Sequence, residues 1–173
     1  MDIEDERRFR EFVGARSKAL LQTAYLLTGD WEHSRDLVQS ALAGLARRWG
    51  QLAEPGRAEA YARKAIYHAH VDRTRRLSWR RERTTATVPD TPAELSDPAD
   101  LVASRQDVIA ALRKLPPGQR AVVVLRYFED RTDEDIAGVL GISTGTVRSQ
   151  RFKALKALRV SVGNDLKEEE TAW

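Results

Sequence analysis

Residues Thr132–Arg159 read TDEDIAGVLGISTGTVRSQRFKALKALR, and their reading fixes the architecture around them. Thr132 is placed to cap a short helix, and Asp133, Glu134 and Asp135 complement the helix dipole in its first turn. Ile136, Ala137 and Leu140 form the apolar side of that helix. Gly141 supplies a tight turn, and Ile142 plugs the angle before Ser143 caps a second helix. This second helix runs through Val147, Leu155 and Leu158 to about Arg159. At about 100° per residue it keeps Val147, Ala154, Leu155 and Leu158 on the core side. Arg148, Ser149, Phe152, Lys153, Lys156 and Arg159 fall on the opposite side. The pattern predicts a helix-turn-helix whose outer face meets duplex DNA. There an aromatic edge packs on a thymine methyl while Arg148 reaches a guanine. The alternative is a solvated basic face, with Phe152 packed against another helix.

Working outward, apolar residues recur at helical spacing nearly throughout. A first helix is expected from about Asp5 to Leu27, stopped by Gly29. Asp30 caps a second, which carries Leu37, Val38, Ala41, Leu42, Leu45 and Trp49 and closes at Gly50. After Pro55-Gly56 a third begins near Arg57. Between Thr84 and Pro98 the pattern fails among Pro89, Pro92 and Pro98, as in an extended connector. Periodicity returns at Leu101 and stops at Pro116-Pro117. The next stretch, QRAVVVLRYF, is β-branched enough for a strand, but with no partner strand nearby it is read as a buried helix. The expected fold is all-α, with two small helical domains joined by a flexible acidic linker. The first spans 1–83, the linker 84–100 and the helix-turn-helix domain 101–163, followed by an acidic tail at 164–173.

The 173 residues contain no cysteine, which excludes disulfides, thiolate chemistry and cysteine-ligated zinc. The opening MDIEDERRFREF is charged where a signal peptide needs an apolar stretch, and no apolar run is long enough to span a bilayer. A cytoplasmic protein without membrane insertion is expected. The net charge of +3 hides a segregation. Between Arg57 and Arg83 nine bases face three acids, whereas the connector carries acids and no base. The basic block points to nucleic acid.

Within that block, YARKAIYHAHVDRTRRLSWRRER interleaves Tyr61, Tyr67 and Trp79 with arginines. Arginines hold phosphates and aromatic faces stack unpaired bases, a mixture suited to opening DNA. Core packing is the alternative for Tyr61 and Trp79. His68 and His70 point about 200° apart on a helix, too divergent for a metal site. Asp72, beside Arg73, Arg75 and Arg76, reads as a local salt-bridge acceptor. No nucleophile–base arrangement or phosphate loop emerges, so neither an enzyme nor a small-molecule substrate or cofactor is expected. A free-standing helix-turn-helix regulator binding operator DNA is an alternative. It leaves the first lobe unexplained and lacks a heptad seam for dimerisation.

Three stretches resemble the extracytoplasmic-function (ECF, group IV) sigma factors of bacterial RNA polymerase, most of all the actinobacterial SigE-type subgroup. They are GDWEHSRDLVQSAL (Gly29–Leu42), YARKAIYHAHVDRTRR (Tyr61–Arg76) and RKLPPGQRAVVVLRYFEDRTDEDIAGVLGISTGTVRSQRFKALKALR (Arg113–Arg159). The resemblance implies a protein that binds core RNA polymerase and promoter DNA and directs transcription initiation, usually restrained by an anti-sigma factor. It implies that Asp36, Leu37, Val38, Gln39 and Leu42 dock the polymerase clamp, with core packing the alternative for Val38 and Leu42. It implies that His68, Asp72, Arg73, Arg75 and Arg76 lie in the part reading the −10 element. It implies that Thr146, Arg148, Ser149, Phe152, Lys153 and Lys156 read the −35 element. Many members carry Asn where His68 stands. Trp79 receives no transferred role.

Overall fold

A computed structural model describes residues 1–83 and 101–171, with side chains for 1–77 and 105–160. All regular structure among the described residues is helical. The expected connector 84–100 lies outside them, as does the side chain of Trp79. The first lobe comprises α1 (Ile3–Thr28), α2 (Trp31–Ala46), the single turn α3 (Trp49–Leu52) and α4 (Pro55–Arg83). The second comprises α5 (Leu101–Arg113), α6 (Pro117–Val123), a π-helical turn (Val124–Phe128), α7 (Asp133–Leu140) and α8 (Thr144–Thr171).

Local chemistry sets the boundaries. Asp2 caps α1 by accepting from the Asp5 N–H at 2.7 Å, and Gly29 ends it in the left-handed conformation at φ 65°. Asp30 caps α2 through the His33 N–H, also at 2.7 Å. A buried Thr28–Ser34 hydroxyl pair at 2.7 Å fixes the corner between them. Gly50 does not close α2: the helix ends at Ala46, and Gly50 lies inside α3. Trp49, 2% exposed, draws that turn into a small cluster with Phe9, Phe12, Leu45 and Ala58. Its ring meets Phe9 edge-on at 5.1 Å.

QRAVVVLRYF is helical, with Ala121, Val122, Val124 and Leu125 at most 1% exposed. The helix widens at its end, where the Glu129 N–H reaches back five residues to the Val124 carbonyl at 3.1 Å. α8 continues beyond Arg159 to Thr171, so much of the expected acidic tail is helical. Its LKEEE run is made of strong helix formers.

The two lobes share one apolar core. Leu20, Ala24 and Leu27 of α1 and Ile66 and Tyr67 of α4 cluster with Leu112, Val122, Leu125, Ile136 and Val147 of the second lobe. In this arrangement α1 packs on α5 and α6, while α4 packs on α6 and α7.

The helix-turn-helix forms as its sequence dictates. Thr132 and Asp135 build a reciprocal capping box, the Asp135 N–H donating to Thr132 Oγ1 at 3.1 Å and the Thr132 N–H to Asp135 Oδ2 at 3.3 Å. Gly141 ends α7 at φ 67°. Thr132→Ala should lower stability by about 1 kcal/mol, read as a lower urea midpoint with unchanged slope.

Candidate nucleic-acid interface

On α8 the core and outer faces separate as the spacing requires. Val147 and Ala154 are fully buried, while Phe152 is 71% exposed. Thr146, Arg148, Ser149, Lys153 and Lys156 are exposed around it. The N-terminus of α8 is set by Ser143, whose Oγ accepts from the Thr146 N–H at 3.1 Å. That oxygen also pairs with the Thr146 hydroxyl at 2.9 Å.

Sequence reasoning missed the anchor between the two helices. Arg151 Nη1 lies 2.5 Å from Asp133 Oδ1, and Arg148 Nε lies 3.5 Å from Asp133 Oδ2. The Asp133 side chain is 14% exposed, so a mostly covered carboxylate holds both guanidinium groups. Arg148 remains 63% exposed and thus available to a base edge. The available signal was Arg151 itself, a base on the flank of the core side, facing the acid that opens α7.

The α4 residues divide along the helix. Asp72, Arg73, Arg75 and Arg76 are exposed. Asp72 is not the salt-bridge acceptor expected of it: it is exposed and, among the described residues, has no ion pair. Tyr67 cannot stack a base, being fully buried in the shared core. Tyr61 is half-buried under the Arg48 guanidinium, 5.7 Å from its ring centroid. His68 is partly covered and its Nε2 donates to the Val139 carbonyl at 2.7 Å. His70 is 4% exposed, and burial followed by the nearby Arg120 and His33 pushes its pKa down to about 4. Burial, followed by Arg73, also lowers that of His33.

On α2, Asp36 and Gln39 are exposed and Leu42 is half-buried. Leu37 and Val38 do not face outward: at 6% and 7% exposed they are core residues, placed there by the helical period. Just before them Trp31 stacks on Tyr25 with ring centroids 4.0 Å apart. No His, Asp or Glu cluster suited to a metal ion occurs among the described residues. None of their helices is long and apolar enough to cross a membrane.

Comparison with known proteins matches the two lobes separately. The family described as Sigma-70 region 2 matches residues 12–80, and Sigma-70, region 4 matches residues 105–158. The RNA polymerase sigma-E factor of Streptomyces coelicolor is 37% identical over 153 residues, covering 87% of this chain and 84% of that protein. The ECF RNA polymerase sigma factor SigE of Mycolicibacterium smegmatis is 32% identical over 155 residues, covering 86% of this chain and 59% of that protein. Among solved structures, the sigma factor RpoE from Bartonella quintana, in complex with the anti-sigma factor NepR, superposes with a TM-score of 0.66 at 21% identity. That match covers 90% of this chain and 96% of the other. CnrH in complex with the cytosolic domain of CnrY gives a TM-score of 0.62 at 23% identity, covering 92% of this chain and 90% of the other.

Proposed function

This chain belongs to the extracytoplasmic-function sigma factors, the promoter-directing subunits of bacterial RNA polymerase, and we propose how its residues share that task. The exposed face of α8 reads the −35 element as duplex. The observation that carries this assignment is Phe152, 71% exposed among bases on a helix whose other side buries Val147 and Ala154. Arg148, steadied by Asp133, reaches a base edge, while Lys153 and Lys156 hold phosphates. The end of α4, with His68, Asp72, Arg73, Arg75 and Arg76, meets the −10 element as its strands part. Asp36 and Gln39 on α2 meet the polymerase, and Leu37, Val38 and Leu42 shape the helix that presents them. The chain supplies no catalytic chemistry of its own and works in the cytoplasm. Tethering both lobes to polymerase turns two weak DNA contacts into one strong one. The anti-sigma factor NepR bound to RpoE supports an equivalent inhibitor for this chain. A pull-down from native extract should recover it, and recovery of polymerase but never of an inhibitor would count against it.

The deciding experiment is co-elution with purified core polymerase, followed by run-off transcription from a promoter library. Transcripts from a few related promoters support the assignment. Sequence-specific duplex binding without polymerase binding would favour the free-standing regulator. Within the −35 face, Arg148→Ala should cost about 1–3 kcal/mol of discrimination at one base pair. Lys156→Ala should instead weaken binding evenly across sequences and flatten the salt dependence. Equal behaviour of the two in a binding titration would show that the helix is docked on another face.

A further inference from the structure

We propose that Asp133 is a positioning residue for promoter reading: its carboxylate, on α7, aims Arg148 of α8 at a base pair and keeps it off the phosphates. The inference rests on the −35 assignment made above. The carboxylate divides its oxygens between two arginines of α8. Oδ1 pairs with Arg151 Nη1 at 2.5 Å, and Oδ2 lies 3.5 Å from Arg148 Nε. Arg151, 26% exposed, ties the two helices together, whereas Arg148, 63% exposed, still reaches outward.

Asp133 is free for this task. The start of α7 is capped by Thr132 and Asp135 through their reciprocal hydrogen bonds, so the Asp133 side chain has no capping duty. The same box fixes the backbone from which that side chain extends. At 14% exposed, the carboxylate is screened less by solvent and salt than a surface acid, which strengthens its pull on Arg148.

The neighbouring bases show what the hold is for. Lys153 and Lys156, assigned above to phosphates, are exposed and have no ion pair among the described residues. A phosphate contact tolerates many side-chain directions, because it carries no sequence information and needs only charge. A guanine contact is stricter: O6 and N7 must meet two guanidinium nitrogens in one plane. Of these three exposed bases, only Arg148, the one assigned to a base edge, is held by an acid. Its closest approach to that acid is through Nε, and it makes no hydrogen bond among the described residues. The guanidinium fork therefore stays open to a base.

The hold acts on specificity in two ways. Fixing a long arginine on a base costs side-chain entropy on binding, and a side chain already aimed has less to lose. The carboxylate also stands beside the reading face, where it repels the phosphates of every sequence alike. Released from it, Arg148 would turn to the nearest phosphate and hold wrong sequences as readily as the right one.

Asp133→Asn tests this, since it keeps the shape of the side chain, removes its charge and leaves the Thr132–Asp135 box in place. Holoenzyme assembled from core polymerase and the full-length chain is titrated with a promoter duplex recovered from the run-off library. Copies of that duplex carrying single −35 substitutions are titrated alongside. At the pair read by Arg148, the variant should bind the matched duplex about twofold more weakly and the substituted one about threefold more tightly. Discrimination at that pair then falls about sixfold, and the salt slope on the substituted duplex steepens by about one. In an Arg148→Ala background, Asp133→Asn should change discrimination no further. Equal weakening on both duplexes, the mark of a loosened helix pair, would overturn the positioning role. So would equal NMR mobility of the Arg148 Nε–H group in the free wild-type and Asp133→Asn chains. If Arg148→Ala itself alters discrimination at no −35 pair, the −35 assignment fails and the proposal with it. That result is distinct from a failure of positioning alone, in which Arg148→Ala still loses discrimination while Asp133→Asn does not.

Discussion

Acidification from pH 6.5 to pH 4 should remove about 3 kcal/mol of unfolding free energy through His70 alone. The ring is 4% exposed, and its folded pKa of about 4 lies below the ordinary 6.5, because burial disfavours the cation. Arg120 from α6 adds to the effect and His33 from α2 follows, so none of the charges acting on the ring is acidic. Arg73, Asp30 and Asp36 act in turn on His33. The unfolded chain binds the proton first, so this contribution is fully present above pH 6.5. It falls as pH drops through that window and is lost below about pH 4. Carboxylates titrate over the lower part of the same range, so the measurement is a difference. Urea unfolding of wild type and His70→Leu at several pH values should show a markedly shallower acid slope in the variant. Equal slopes would mean that His70 takes up its proton in the fold over the same pH range as in the unfolded chain.

Arg120→Ala should destabilise the chain by about 3 kcal/mol. One guanidinium serves three carbonyls: Leu27 at 2.5 Å, and Arg113 and Leu115 at 3.0 Å each. The Leu27 carbonyl belongs to the last turn of α1, where no further helical N–H remains to donate to it. Truncation leaves these acceptors short of a donor. Arg120→Lys, with one compact ammonium, should recover less than half of the loss. Chemical denaturation checks both variants. A loss below about 1 kcal/mol would mean that water satisfies the carbonyls as well as Arg120 does.

The helix-turn-helix was legible because its determinants are local. A capping threonine, a left-handed glycine and a capping serine lie within twelve residues, and the period of α8 separates Phe152 from Val147. Proline and glycine likewise marked most helix boundaries. Gly50 misled because its small side chain does not prevent a helical turn, and Trp49 supplies a tertiary reason to make one. Leu37, Val38 and Tyr67 were harder, since the same apolar residue suits a core or a partner until the neighbours are known. Asp133 was read only as a favourable charge in the first turn of α7, and its grip on Arg151 depends on where α8 lies. The Thr23–Arg63–Glu129 contact had no sequence signature, because it joins residues 106 positions apart by a docking that no periodicity encodes.

The π-helical turn gives the second lobe its timing, much as an extra tooth shifts the phase of a gear. Reaching back five residues instead of four, it carries one residue more than an α-helix over the same span. One residue is about 100° of azimuth. Deleting one residue between Val124 and Phe128 would let the segment relax to an ordinary helix. Glu129 and all of α7 and α8 would then leave α6 about a quarter-turn out of phase. The helix-turn-helix would still fold, since its caps and core lie within it, but its carboxylate would no longer meet Arg63. Length in this short segment thus governs how the two lobes are aimed, independently of what either lobe reads.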